Sequence, residues 1–149
     1  MINARAETVA EKPAYRSAFR KRRCLIPADS FYEWKAEGRK KQPYNFALPD
    51  GGPFAFAGLW ERWTKGDDPV ESCTLITTEA NSFVAPVHDR MPVILLPEEY
   101  GRWLNAGVQD PPKLLPLLRP CPGPMTATPV GAWVNDPKHE GPRCVEPAG

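Results

Sequence analysis

Two short runs carry the groups most able to move protons and hold anions. The first is Phe31-Tyr32-Glu33-Trp34. Aromatic residues favour the half-buried pleat of a sheet, so the run predicts a strand. Side chains then alternate: Phe31 and Glu33 share one face, Tyr32 and Trp34 the other. A carboxylate among apolar rings is partly desolvated, which disfavours its charged form and raises its pKa. Such a glutamate can shuttle protons near neutral pH. An exposed glutamate on an edge strand is the plainer reading of the same pattern. The second run is His88-Asp89-Arg90-Met91-Pro92. Histidine is poised for proton transfer at neutral pH, and the arginine two residues on is a permanent cation suited to phosphate. A hydrogen-bonded loop histidine is the plainer reading here.

The elements that must position these groups follow from the order of the chain. Thr8 to Arg23 predicts a helix, broken or split at Pro13, with Tyr15, Ala18 and Phe19 as its apolar stripe. Its basic end, Arg20-Lys21-Arg22-Arg23, either complements the helix dipole or attracts phosphate. Pro43 to Leu48 and Phe54 to Trp63 alternate as strands, separated by the turn Pro49-Asp50-Gly51-Gly52. With the Glu33 strand they predict an antiparallel meander. Ser72 to Thr78 predicts a buried strand, and Glu79 to Val84 one helical turn. Val93 to Leu96 predicts a short strand. Pro97-Glu98-Glu99 opens a helix to about Asn105, with proline first and acids in the first turn. Lys113 to Leu118 predicts a short helix, Met125 to Val130 a last strand, and Asn135 to Gly149 a surface loop.

Composition bounds the classes. A chain of 149 residues suffices for one domain with a core. Nineteen basic and 18 acidic side chains give a net charge of +1, so any nucleic-acid footprint must come from local clustering. Nineteen prolines predict loops, short strands and few long helices. The expected class is α+β, mainly antiparallel β with a few short helices. Cys24, Cys73, Cys121 and Cys144 form no Cys-x-x-Cys pair, and the histidines are His88 and His139, which argues against a zinc site. Neither metal nor cofactor is expected. Cys24 and Cys73 lie in apolar runs and are expected to be buried thiols. No apolar run is long enough to span a bilayer, and no signal peptide is visible. A reducing cytoplasmic compartment without disulfides is the expectation.

Several pieces now combine. They are Asn3-Ala4-Arg5-Ala6-Glu7-Thr8, Arg22-Arg23-Cys24-Leu25-Ile26-Pro27 leading into Phe31-Tyr32-Glu33-Trp34, and Ala57-Gly58-Leu59-Trp60-Glu61. Then come Thr77-Thr78-Glu79-Ala80-Asn81, His88-Asp89-Arg90-Met91-Pro92, and the tail from Val134-Asn135 through Gly141-Pro142. In order and spacing the chain resembles the SRAP family, the SOS response-associated peptidase-like proteins, which crosslink to abasic sites in single-stranded DNA. The resemblance covers essentially the whole chain. It implies that Asn3 orients the reacting sugar and that Glu33 shuttles protons for imine chemistry. It implies that His88 helps open the abasic sugar and protonates its O4′. It implies that Arg5 and Arg90 grip the DNA backbone, with Thr77 and Thr78 as polar contacts on the same path. The implied partner is single-stranded DNA carrying abasic sites, near the nucleoid and away from membranes.

One departure accompanies the matches. The family's nucleophile is a cysteine exposed as the mature N-terminus, whose amine and thiol close a thiazolidine ring on the sugar aldehyde. This chain begins Met1-Ile2-Asn3, and its four cysteines are internal. We therefore expect a single SRAP-like domain, residues 1–149, lacking the family's N-terminal segment. We also expect exposed apolar surface and marginal stability or association, and a monomer in full-length form. Three functions are compatible: an abasic-site crosslinking protein in full-length form, a non-catalytic single-strand DNA-binding module, and a cysteine-type peptidase as the family name suggests.

Overall fold

A strand buried on both faces belongs in the middle of a sheet, and Phe54–Trp63 (β5) is such a strand from Phe54 to Leu59. The computed structural model describes residues 2–149; the expectation placed on Met1 lies outside them. Among the described residues there are nine strands and three short α-helices, an α+β fold rich in β. The chain divides into two compact units. One takes the stretch up to Ala28, Phe54–Glu79 and Met91–Cys121; the other takes Asp29–Pro53, Ala80–Arg90 and Pro122–Gly149.

In the first unit β5 pairs antiparallel with Arg23–Ala28 (β2), Ile94–Leu95 (β8) and Val70–Glu79 (β6). Ile2–Arg5 (β1) adds to β6 in parallel, with Asn3 opposite Leu75 and Arg5 opposite Thr77. The short strand Arg90–Pro92 (β7) also pairs with β6. Phe19, Leu59, Ile76, Val93, Leu95, Trp103 and Leu114 form the centre of this unit's core. The helices are Arg16–Lys21 (α1), Tyr100–Leu104 (α2) and Pro111–Leu114 (α3). Ahead of α2 the Glu99 carboxylate accepts the Leu96 N–H at 2.9 Å and pairs with Arg119 at 2.6 Å. Proline and acids open this helix as their positions predict.

The second unit holds a three-stranded antiparallel sheet: Phe31–Glu37 (β3), Lys40–Ala47 (β4) and Thr126–Pro129 (β9), with β4 in the middle. The β3–β4 turn uses Gly38 at φ 63°, a left-handed conformation open to glycine. Phe31 stacks on its cross-strand partner Phe46 at 5.2 Å.

Four expectations are corrected. The meander fails, because β4 pairs with β9, while β5 joins the other sheet. Alternation in a sequence shows which face is buried but not which strand is the neighbour. The helix of Thr8 to Arg23 shrinks to α1; Pro13 has no N–H to continue the ladder, and the chain before it runs as successive turns. Arg22 and Arg23 leave the basic run. Arg22 pairs with Glu61 at 2.6 Å, and Arg23 is buried and opens β2. Cys24 is half-buried, its thiol pKa pushed up to about 11 by burial and by neighbouring Cys73, yet Cys73 itself is exposed. It lies where Trp60–Trp63 and Val70–Cys73 pair as an outlying ribbon, and Trp60, Trp63 and Val70 are exposed there too.

Gly58 lies opposite Cys24, under the side chains of Ile26 and Cys24 on β2. A Cβ there would lie 2.7 Å from Ile26 Cδ1 and 3.0 Å from Cys24 Sγ. Gly58→Val is expected to cost about 1–3 kcal/mol through overpacking. Gly66→Ala, whose added methyl would meet nothing nearer than 3.8 Å, should be close to neutral. Urea denaturation of both variants checks this; equal stabilities would remove the steric role of Gly58.

Candidate active site

Glu33 is the third residue of β3 and, by alternation, stands on the face of Phe31, with Tyr44 as its cross-strand partner. Its side chain is 23% exposed, and Oε2 lies 3.8 Å from His88 Nδ1. Burial raises the Glu33 pKa above the ordinary carboxylate value. His88 works against that rise by favouring the charged form, and Asp89 adds to it by like-charge repulsion. Glu33 is therefore a partly desolvated carboxylate and not the exposed glutamate that is the plainer reading of its run.

His88 is held by a loop organised around Asn81. The Asn81 side-chain oxygen accepts the N–H groups of Phe83 at 3.1 Å and Val84 at 3.0 Å, and Ala85 N–H donates to the Asn81 carbonyl at 2.9 Å. The next turn closes with His88 N–H on the Val84 carbonyl at 3.0 Å, and Ala80 N–H bonds to the Asp89 carbonyl at 3.0 Å. The expected helical turn is thus an Asn-capped turn. Asn81-Ser82-Phe83 carries the signal, since asparagine side chains bond the backbone two residues on.

The backbone of Arg90 serves the histidine ring in both protonation states. The Arg90 N–H lies 3.1 Å from His88 Nδ1 and donates to it when that nitrogen is bare. The Arg90 carbonyl also lies 3.1 Å from Nδ1 and accepts from it when it carries a proton. A ring so clipped can gain and lose a proton without leaving its place. The Asp89 carboxylate stands 3.5 Å from the same nitrogen and is 90% exposed. Glu33, His88, Asp89 and Arg90 therefore form one cluster within the second unit.

The remaining residues of interest lie in the first unit, on β1 and β6. Asn3 and Arg5 alternate with buried Ala4 and are exposed. Arg5 is registered with Thr77, whose hydroxyl donates to the Ala4 carbonyl at 3.5 Å. Thr78 points the other way and is 4% exposed, beside a shallow cavity of about 360 Å³ that Ala6, Glu7 and Arg119 also line. Arg5 Nε lies 3.8 Å from Glu7. Among the described residues no three His, Cys, Asp or Glu side chains gather as metal ligands, and no helix is long and apolar enough to cross a membrane.

The raised Glu33 pKa links to stability. A carboxyl that holds its proton more tightly when folded contributes stability below its unfolded pKa, and this is lost as pH rises through the folded pKa. Glu33→Gln should therefore unfold at a higher temperature than the parent at pH 7, with the difference vanishing near pH 4. Thermal melts at the two pH values decide; a variant less stable at pH 7 would mean that burial does not dominate at Glu33.

Comparison with known proteins places this geometry. The profile of the SOS response associated peptidase (SRAP) family matches residues 1–137. The abasic site processing protein YoqW of Bacillus subtilis is 47% identical over 98% of this chain and 66% of its own length. The abasic site processing protein HMCES of Xenopus tropicalis is 32% identical, over 96% of this chain and 49% of its own. A crystal structure of a protein from Bacteroides thetaiotaomicron superposes with a TM-score of 0.89 at 34% identity, over 98% of this chain and 65% of that one. The chain thus spans about two thirds of the length of the bacterial relative YoqW. On this match, at every level from profile to fold, the chain belongs to the SRAP family.

Proposed function

We propose that this chain supplies the proton-transfer and DNA-gripping part of an abasic-site processing protein. In full-length form that protein binds single-stranded DNA and crosslinks to abasic sites through an N-terminal cysteine. The observation that carries this reading is the pairing of half-buried Glu33 with the backbone-clipped His88, 3.8 Å apart. Imine formation needs an unprotonated amine, an aldehyde and a group that both takes and gives protons. His88 protonates the sugar O4′ as the ring opens to the aldehyde. Glu33 takes a proton from the attacking amine and returns it to the departing hydroxyl, so one water leaves as the imine forms. The cysteine thiol then adds across the C=N bond, closing the thiazolidine. Asn3 orients the sugar, and Arg5, Thr77 and Arg90 contact the DNA backbone. Thr78, buried on the opposite face of β6, stands off that path. The two units act as a single SRAP-like domain, in the cytoplasm at the nucleoid. Peptidase chemistry would need the same N-terminal cysteine.

A denaturing gel tests the chemistry. This chain, a version extended by an N-terminal segment that starts with a processed cysteine, and the extended Glu33→Gln variant are incubated with an abasic-site oligonucleotide. The 149-residue chain should give no heat-stable adduct. The extended protein should, and Glu33→Gln should form it about 100-fold more slowly, the scale of a lost general acid–base group. A strong band from the chain itself would refute the cysteine requirement, and none from the extended protein would refute the function. Binding is tested separately by fluorescence anisotropy at several salt concentrations. Arg90→Ala should weaken binding to all single-stranded sequences alike and flatten the logarithmic salt slope by about 0.7. An unchanged slope would take Arg90 off the DNA path.

A further inference from the structure

The residues on either side of Glu33 point away from His88 and toward the C-terminal tail, all within the second unit. Tyr32 donates its hydroxyl hydrogen to the Cys144 carbonyl at 3.1 Å. Trp34 donates its indole N–H to the Asn135 side-chain oxygen at 2.7 Å. The two rings lie 6.3 Å apart on the same face of β3. Burial raises the Tyr32 pKa, which keeps the hydroxyl a donor.

Both acceptors belong to one closed loop. It leaves the sheet after β9 and returns to it: Val130 bridges Pro147, and Ala148 N–H donates to the Pro129 carbonyl at 2.9 Å. Its interior is packed by its own side chains, as in other compact loops whose ends meet. The Trp133 ring stacks on His139 at 3.4 Å and 10°, and Arg143 covers the ring at 4.0 Å. His139 Nδ1 donates to the Trp133 carbonyl at 2.7 Å. The 3-10 turns Ala132–Asn135 and Pro142–Val145 present the two acceptors.

We infer that this loop is a positioning element for Glu33: its clamps on Tyr32 and Trp34 hold the strand so that the carboxylate stays against His88. The inference rests on Glu33 being the proton shuttle. The physical reason is the pleat. Residues before and after Glu33 are pinned on one face, so the strand cannot rotate the carboxylate on the other face into water. A site displaced by about 1 Å loses much of its reactivity, and a two-point clamp guards against that. The groups facing Glu33 are Tyr44, His88 and Asp89; Asp136, His139 and Arg143 belong to the loop on the far side.

The test needs no DNA, so it can fail while the crosslinking reading stands, and the reverse. The Glu33 carboxyl is titrated by carbon-detected NMR in the full chain, in Trp34→Phe and in Tyr32→Phe. Tyr32→Phe keeps its ring and Trp34→Phe keeps a smaller aromatic ring, and each loses its hydrogen bond to the loop. The midpoint should fall toward the ordinary carboxylate range in each, because water reaches a carboxylate on a loosened strand. Thr126→Ala is the control; it removes a hydroxyl bond to the Ala47 carbonyl at 3.3 Å elsewhere in the same sheet. Its midpoint should match the parent. An unmoved midpoint in both clamp variants, or an equal fall in Thr126→Ala, overturns the inference. If Trp34→Phe fails to fold, Tyr32→Phe decides alone.

Discussion

Arg23 holds its unit together by an arrangement that contains no counter-charge. Its five N–H donors meet five backbone carbonyls: Trp103 through Nε, Phe19 and Arg20 through Nη1, and Asn105 and Val108 through Nη2, at 2.6–2.9 Å. The guanidinium also lies over the Trp103 ring at 5.5 Å. A buried cation is costly unless its hydrogen bonds are complete, and here they are complete. Three of the carbonyls belong to helix ends, Phe19 and Arg20 in α1 and Trp103 in α2, where the helix dipole is negative. Five carbonyls thus receive donors from one side chain, the Asn105 carbonyl also accepting the Val108 N–H at 3.0 Å. That side chain opens β2, the strand that leads along the chain into β3 and Glu33. A lysine could not replace it, having three donors and no planar fork.

The second unit uses a different economy. Its sheet is thin, three strands, and the pair Phe31 and Phe46 is buried on one face. β3 has a chemical face and an anchoring face. Glu33 gains a raised proton affinity from partial burial on the first. The second is occupied by hydrogen bonds to the tail. Polar chemistry on one side is thus compatible with order because the opposite side carries the restraint.

How much of this was legible in the sequence depended on range. Alternation placed Phe31, Tyr32, Glu33 and Trp34 on their faces, and the opening of the Pro97 helix was plain from proline and the two acids. These are relations between near neighbours. The resemblance brought Glu33 and His88 together before any geometry did, since no local pattern connects residues so far apart. What stayed hidden were pairings of long range. β5 looked like a third strand of a meander because nothing in Phe54–Trp63 says that its partners are β2, β6 and β8. Arg23 looked like one member of a basic cluster, since its acceptors are distant carbonyls and carry no side-chain signature. Asn135 and Cys144 looked like surface loop for the same reason. Cys73 misled because its apolar run continues past the point where burial ends.

The parallel register of β1 on β6 has a consequence for how such chains can change. Ala4 is 2% exposed, while Asn3 and Arg5 on either side of it face outward. A slip by one residue exchanges these two sets, sending an amide and a guanidinium into the core and a methyl to the surface. Insertions and deletions within this strand are therefore excluded by the core itself. The polar surface of Asn3 and Arg5 is protected from drift in length by a neighbour that takes no part in it.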